Sequence, residues 1–444
     1  MQQQDFSRQS NEQSAYPPSY YAATINDTDV FPYLDRDIEV ETCIVGGGYA
    51  GLMTALGLIE RGYTKIAILE RNKVGWGASG RNGGFVFGGY SLGPRKLVKQ
   101  VGEENAKNLY QLTQSAVELI RKRVHQYHID CDLVDEGVIW ANWFKDQSLL
   151  KNEQAFMKEK FAVDWRYLSP KQLSSIVNSE RYHGGLFEPN AMHFHPLNYA
   201  RGVAHQIDNT QAQIYENTEV IDVQYSSSGA DDEKLVITAN AKVRCKNIVL
   251  AGGGYLGKLC PPVANSVLPI ATYVMATEPL GERLTECLRS HAAIYDTRFA
   301  FDYYRPLKDG RILWGGRVSA KTRTPRNLAK QLTRDLCKVF PQLSGVNVDF
   351  VWDGWMSYAR HQMAQIGQLA PGVWYGVGFG GHGVAPTTTA GEILADAIAN
   401  NSEQYRQFQP WGLPWNGGPF GPVAAQMSYW WYQLNDWFKE RLGK

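Results

Sequence analysis

Gly46-Gly47-Gly48-Tyr49-Ala50-Gly51 follows the run Val40-Glu41-Thr42-Cys43-Ile44-Val45 and opens a stretch of helix formers. Gly46, Gly48 and Gly51 have the spacing of a dinucleotide-binding turn. The first glycine permits the tight turn, the second lets backbone approach a pyrophosphate, and the third lets helix pack on strand. Tyr49 and Ala50 then begin a helix whose free N–H groups and partial positive charge suit phosphates. The helix over 52–61 stops at Gly62, a C-cap, and 65–69 reads as a buried strand. That strand ends in Glu70, about 20 residues on, where an acid can hold a ribose hydroxyl, with Arg71 beside it. A glycine-rich turn without a ligand is the alternative. The succession of strand, helix, strand and acid favours the nucleotide.

A second glycine-rich loop follows at 71–84 and includes Gly77, Ala78, Ser79, Arg81, Asn82, Gly83 and Gly84. A nicotinamide site does not need it. A large, two-ended cofactor does, with one loop for the pyrophosphate and another where backbone must approach a flat ring. Two later junctions repeat the pattern. The strand 248–250 runs into Ala251-Gly252, and 373–379 runs into Gly381-His382-Gly383-Val384 before a helix from Thr387 to about Ala399. Val220 lies on a strand over 215–223 that returns to the first sheet. A site drawn from both ends of the chain implies that another domain is inserted between them.

The remaining periodicities supply that domain. Residues 94–125 have helical spacing, 131–141 read as two strands around a turn, and helices are expected near 146–160 and from Ser169-Pro170. Alternation marks strands at 268–277, 300–305, 312–318 and 346–352, with a hairpin turn at Asp309-Gly310 and a helix near 325–339. The expected fold is α/β: a Rossmann-like nucleotide-binding domain with an inserted, mainly antiparallel sheet plus helices. Its nucleotide domain comprises 38–127, 197–258 and 356–405; the substrate domain comprises 128–196 and 259–355. Residues 1–37 read as a polar arm, partly ordered at best, and 406–444 as an aromatic tail that packs on the body or on a second subunit.

Composition narrows the class. The 444 residues suffice for two cores, and a net charge of +1 gives no global field for nucleic acid or an acidic membrane. Cys43, Cys131, Cys245, Cys260, Cys287 and Cys337 are scattered, without Cys-x-x-Cys or metal-ligand spacing, and suit buried thiols in a reducing compartment. His193 and His195 alternate on one face, but no third ligand suggests a metal. The N-terminus lacks a signal-peptide pattern, and no apolar run is long enough to span a bilayer. A cytoplasmic enzyme is the expectation.

The chain resembles the flavin-dependent oxidases related to D-amino-acid, glycine and sarcosine oxidases, most closely their gamma-glutamylputrescine-oxidising branch. The matching segments are Val45-Gly46-Gly47-Gly48-Tyr49, Gly77 to Gly84, His193-Phe194-His195-Pro196-Leu197-Asn198, Asp302-Tyr303-Tyr304-Arg305 and Gly381-His382-Gly383-Val384. The resemblance implies FAD, a small amine as substrate, an imine hydrolysed to an aldehyde, and molecular oxygen reduced to hydrogen peroxide. The related sarcosine oxidases tether flavin through a cysteine in the C-terminal part, but Cys337 is the last cysteine here, so the FAD is expected to be non-covalent. It also implies catalytic or substrate roles for Tyr303, Tyr304, Arg305 and His382. Arg305 is a candidate to hold a substrate carboxylate, with an ion pair as its competing role. His382 either donates toward the flavin or braces its loop. Trp352 and Trp355 are candidate pocket walls. The family often carries an Arg-x-Pro run where this chain has Arg360-His361-Gln362, and Trp76 and Arg317 are also unusual, so the amine itself stays open. A dehydrogenase with a non-oxygen acceptor and a non-catalytic flavin-binding protein are the alternatives. Oligomeric state is not legible.

Overall fold

The computed structural model describes residues 15–208, 210–226, 233–320 and 324–442. Most of the expected arm is built rather than loose; its residues 1–14 lie outside the described residues, as do 443–444 of the tail. Two eight-stranded sheets organise the chain. In the first, Val373–Val377, Lys242–Leu250, Ile38–Val45, Ile66–Leu69 and Gln213–Tyr215 run parallel in that order. Gln365–Ala370 pairs antiparallel at one edge. These central strands are apolar runs because both faces are covered, one by the helices 49–60, 196–208 and 384–400 and the other by Leu34 of the N-terminal segment, Val236 and Val263.

Register explains where the site lies. Val45 stands opposite both Leu250 and Leu69, and Leu250 opposite Tyr375. The carboxyl ends of four parallel strands are therefore level, and Gly46, Glu70, Ala251 and the 378–383 loop all emerge at one edge. Ligands of open parallel sheets bind at that edge.

Two helices start there, Tyr49–Glu60 and Val384–Asn400. They pack closely because Gly391 lies against Met53, whose Cβ would be only 2.4 Å from a Cβ added at 391. Arg123, fully buried, ties the far end of the first to the middle of the second by reaching Glu60 and Glu392, each at 2.5 Å. Removing one partner of such a group strands a buried charge and costs about 3–5 kcal/mol. The two N-termini are thus held in a fixed relation. The second helix starts at Val384, three residues before the expected Thr387, because Val384, Ala385 and Pro386 already bury against the core.

The second sheet has the order Val348–Ala359, Val267–Thr277, Ile312–Ser319, Tyr303–Pro306, Ala293–Asp296, Val138–Ala141, Gly185–Glu188, Arg166–Leu168. It is antiparallel except where Ala293–Asp296 runs parallel to Val138–Ala141. Gly310, with φ of +81°, turns the expected hairpin between Tyr303–Pro306 and Ile312–Ser319.

Several expectations need correction. Residues 131–141 form one strand, Val138–Ala141, since Val134 bridges instead to His193. Gly102, at φ +79°, breaks the long helix into Pro94–Val101 and Glu103–Gln126. The arm over 15–37 is a packed strap: Tyr20, Tyr21, Phe31 and Leu34 are buried, and Asp27 pairs with the buried Arg201 at 2.7 Å. Its apolar residues lack periodicity, so only tertiary packing reveals them as core.

Candidate functional site

A continuous cavity of about 1230 Å³ runs between the parallel-strand edge and the antiparallel sheet. Ordinary small-ligand sites occupy about 300–1,000 Å³, so this one has room for a large cofactor and a substrate together. Of the residues singled out from sequence, Gly46, Gly48, Tyr49, Ala50, Glu70, Arg71, Gly77, Ala78, Ser79, Asn82, Gly83, Val220, Ala251 and Gly252 line it, with Gly381, His382, Gly383, Val384 and Tyr303. Gly51, Arg81, Gly84, Tyr304 and Arg305 do not.

At the dinucleotide turn, Gly46 has φ of +115°, and a Cβ there would sit 2.9 Å from the Ala251 carbonyl. Gly51 faces the turn rather than the cavity; its added Cβ would fall 2.0 Å from the Gly46 oxygen. Gly48 precedes the helix, and Ser79 Oγ accepts the Tyr49 N–H at 2.9 Å, joining the two glycine-rich loops. Glu70 accepts the N–H groups of Gly47 and Asn72, each at 2.8 Å, which fixes its carboxyl at the strand end. Burial raises its pKa above the usual range. The glycine cradle, the helix N-terminus and this carboxyl fit a dinucleotide.

The opposite end of the cavity has a second helix N-terminus. Pro386 has no N–H, and the first-turn N–H groups of Val384 and Ala385 have no intrahelical acceptor. Negative charge is favoured beside them. His382 is held by its loop: Ser91 Oγ accepts its backbone N–H at 3.1 Å, and its ring Nε2 lies 3.0 Å from the Phe87 carbonyl. Burial drives its pKa down to about 4, so the ring is neutral near pH 7. A carbonyl only accepts, so the ring proton sits on Nε2 and is spent there. The bracing role is the one the geometry supports.

Tyr303 and Arg305 do share one face of their strand, both reaching the 83–84 loop. Their fates differ. Tyr303 lines the cavity, its ring 5.5 Å from Phe85, and burial keeps its hydroxyl protonated. Arg305 is buried, and its guanidinium donates to the carbonyls of Gly83 and Phe194, both at 2.8 Å, and to the Tyr21 hydroxyl at 3.1 Å. It also meets His193 Nδ1 at 3.3 Å. Four of its five N–H groups are engaged by protein and the residue does not line the cavity, so the expected carboxylate grip is corrected to a fastening between the antiparallel sheet and the 83–84 loop. Tyr304 points away from the cavity and stacks on Trp314 at 4.8 Å in the core of the antiparallel sheet.

Arg81 likewise binds protein: it donates to the Gly77 and Asp353 carbonyls and to the Tyr255 hydroxyl. Trp352 is buried and donates to the Arg81 carbonyl at 3.0 Å, whereas Trp355 lines the cavity, stacked on Tyr255. Gly84, at φ +81°, packs against the Phe194 carbonyl. His193 donates to the His291 carbonyl and His195 Nε2 lies 3.1 Å from the Thr24 hydroxyl, so each ring has a structural partner.

Sequence reasoning missed part of the wall. Phe87, Trp140, Tyr295 and Glu188 line the cavity from segments read only as strands or connections. The tail helix Gly421–Arg441 closes one side with Ala424, Ser428, Tyr429 and Tyr432. Tyr432 stacks on Phe299 at 4.0 Å, and Glu440 pairs with Arg181 at 2.6 Å. Packing on the body, one of the two expected roles of the tail, is therefore present.

Residues 41–397 match the sequence profile of the FAD dependent oxidoreductase family. The chain belongs to that family. Over 434 residues it is 34% identical to gamma-glutamylputrescine oxidoreductase of Escherichia coli (strain K12), covering 94% of this chain and 98% of that protein. Among solved structures, its fold is similar to glycine oxidase from Bacillus cereus, with a TM-score of 0.67, 20% identity, and coverage of 83% and 97%. L-proline dehydrogenase from P. horikoshii gives a TM-score of 0.70, 18% identity, and coverage of 84% and 98%. As an FAD-dependent oxidoreductase, the chain has a cavity that fits a two-ended cofactor, with the glycine cradle and Glu70 at one end and the 381–384 helix start at the other. Among the described residues, no helix is long and apolar enough to cross a membrane.

Proposed function

We propose that this oxidoreductase oxidises a primary or secondary amine on a flexible chain, of the gamma-glutamylputrescine kind, with molecular oxygen as final acceptor. The observation that carries the reading is the aromatic wall of Phe87, Tyr295, Trp140 and Tyr303 on the antiparallel-sheet side of the cavity. It is supported by the 34% identity over almost the full length of the Escherichia coli enzyme.

FAD supplies a hydride acceptor for the carbon beside an amine nitrogen. The chain's own work is to bring in the amine neutral, with its lone pair free, and to orient that carbon. Apolar surface away from a carboxylate favours the neutral form, because burial penalises an ammonium. The Val384 and Ala385 N–H groups and the helix dipole stabilise negative charge at the ring end. His382, neutral and tied to Phe87, holds that loop in place.

The test is anaerobic mixing of purified holoenzyme with gamma-glutamylputrescine, putrescine and amino acids, followed by air. The reading expects an amine to bleach the flavin absorbance and air to restore it with peroxide in equal amount. Bleaching without peroxide would mean a dehydrogenase with another acceptor. Absence of bleaching by every amine would overturn the reading.

A further inference from the structure

Glu188 ends the strand Gly185–Glu188, opposite Val138 on the neighbouring strand. Its residue is only 7% exposed, yet it lines the cavity. Its carboxyl accepts the Gly88 N–H, and among the described residues no Lys, Arg or His forms an ion pair with it. A buried carboxylate without a cation is costly, so native structures seldom keep one without a use. Glu153, the next acid on this wall, differs: Arg95 holds it at 2.6 Å.

The surroundings have a definite character. Trp140 and Tyr295 stand opposite in the parallel strand pair, their rings stacked at 6.3 Å. Tyr295 stacks in turn on Phe87 at 5.4 Å, and Phe87 meets the His382 ring at 4.1 Å. A row of aromatic rings thus runs from beside Glu188 to the loop at the start of the Val384–Asn400 helix. Aromatic faces beside a carboxylate select an organic cation over water or an anion.

We propose that Glu188, with Trp140, Tyr295 and Phe87, holds a protonated ammonium group of the substrate other than the amine being oxidised. The chemistry separates the two ends. The reacting nitrogen must shed its proton, whereas a carboxylate among aromatic faces stabilises the charged form. The preferred substrates are then diamines and their derivatives that keep a second ammonium at the far end of the chain. Burial pushes the empty Glu188 carboxyl up to about 8, and an arriving cation draws it back to the ionised form. This inference rests on the amine-oxidising reading and adds the charge of the far end.

The experiment measures binding rather than turnover. Holoenzyme is kept reduced with dithionite, so nothing is oxidised, and calorimetry compares putrescine with butylamine, which lacks the second ammonium. At about pH 8.5 both amines are still charged and Glu188 is largely ionised. The expected parent preference for putrescine is about tenfold or more, falling close to unity in Glu188→Gln and partly kept in Glu188→Asp. The FAD spectrum and melting temperature of each variant check that it is folded. An equal affinity of the parent for the two amines overturns the proposal without any variant. So does a folded Glu188→Gln protein with an undiminished preference. Failure of the amine-oxidising reading shows separately, as oxidised holoenzyme that no amine bleaches even though the putrescine preference persists.

Discussion

Arg305 lies in the antiparallel sheet yet donates its Nε–H to the Gly83 carbonyl, 2.8 Å away in the second cofactor loop. The same guanidinium reaches Tyr21 in the N-terminal strap and Phe194 beside the Pro196–Asp208 helix. One buried cation therefore joins four segments of chain, of which the Gly83 loop lines the cavity.

Arg305→Met leaves those buried carbonyls unpaired. It should cost about 3 kcal/mol or more of stability and loosen FAD, while leaving the preference between amines unchanged. Melting temperature and relative flavin reduction rates check this. A stable variant with altered amine preference would return Arg305 to the substrate site.

The two turn glycines should fail differently. Gly46→Ala meets the Ala251 backbone at a positive φ and should damage folding itself. A side chain at Gly48 meets Ser79 Oγ and the phosphate space, so Gly48→Val should fold and lose FAD. Glu70→Gln keeps one acceptor oxygen and should weaken FAD by about 1.5–3 kcal/mol. Equilibrium binding of FAD to each apoprotein, beside its circular dichroism, separates the three.

FAD should be held without a covalent bond to sulfur. Among the described residues, no cysteine lines the cavity, and Cys337, the last in the chain, belongs to the helix Leu328–Val339. Acid precipitation should release all yellow colour into the supernatant. Colour retained in the pellet would contradict it.

Acid should destabilise the protein through its buried histidines. Burial lowers His382 to about 4, and His193 and His195 to about 3, against an unfolded value near 6.5. Between those limits the unfolded chain binds more protons than the native one. The stability these rings contribute is thus complete above about pH 6.5 and is lost as pH falls toward their folded values, at up to about 1.4 kcal/mol per pH unit for each. Melting temperatures from neutral pH down to about 5 should drop, and His382→Gln should flatten the slope. A flat parent profile would show that these rings are accessible to protons in the folded state.

Local pattern was sufficient where chemistry depends on neighbours in sequence. The Gly46–Gly51 turn, Glu70 at the next strand end and the 381–384 helix start were legible because each couples a backbone conformation to adjacent residues. Alternation also put Tyr303 and Arg305 on one side of their strand. It did not show what that side faces. Tertiary packing decided that Tyr303 meets the cavity while Arg305, two residues on, is consumed by Gly83, Phe194 and Tyr21. Glu188 shows the converse: in sequence it is an acid before a proline, and only the pairing of its strand with Val138–Ala141 places it beside Trp140 and Tyr295 without a cation. Sequence period determines which residues share a face. Burial, partners and charge balance come from segments far along the chain, and these decide whether a polar side chain fastens the fold or faces a ligand.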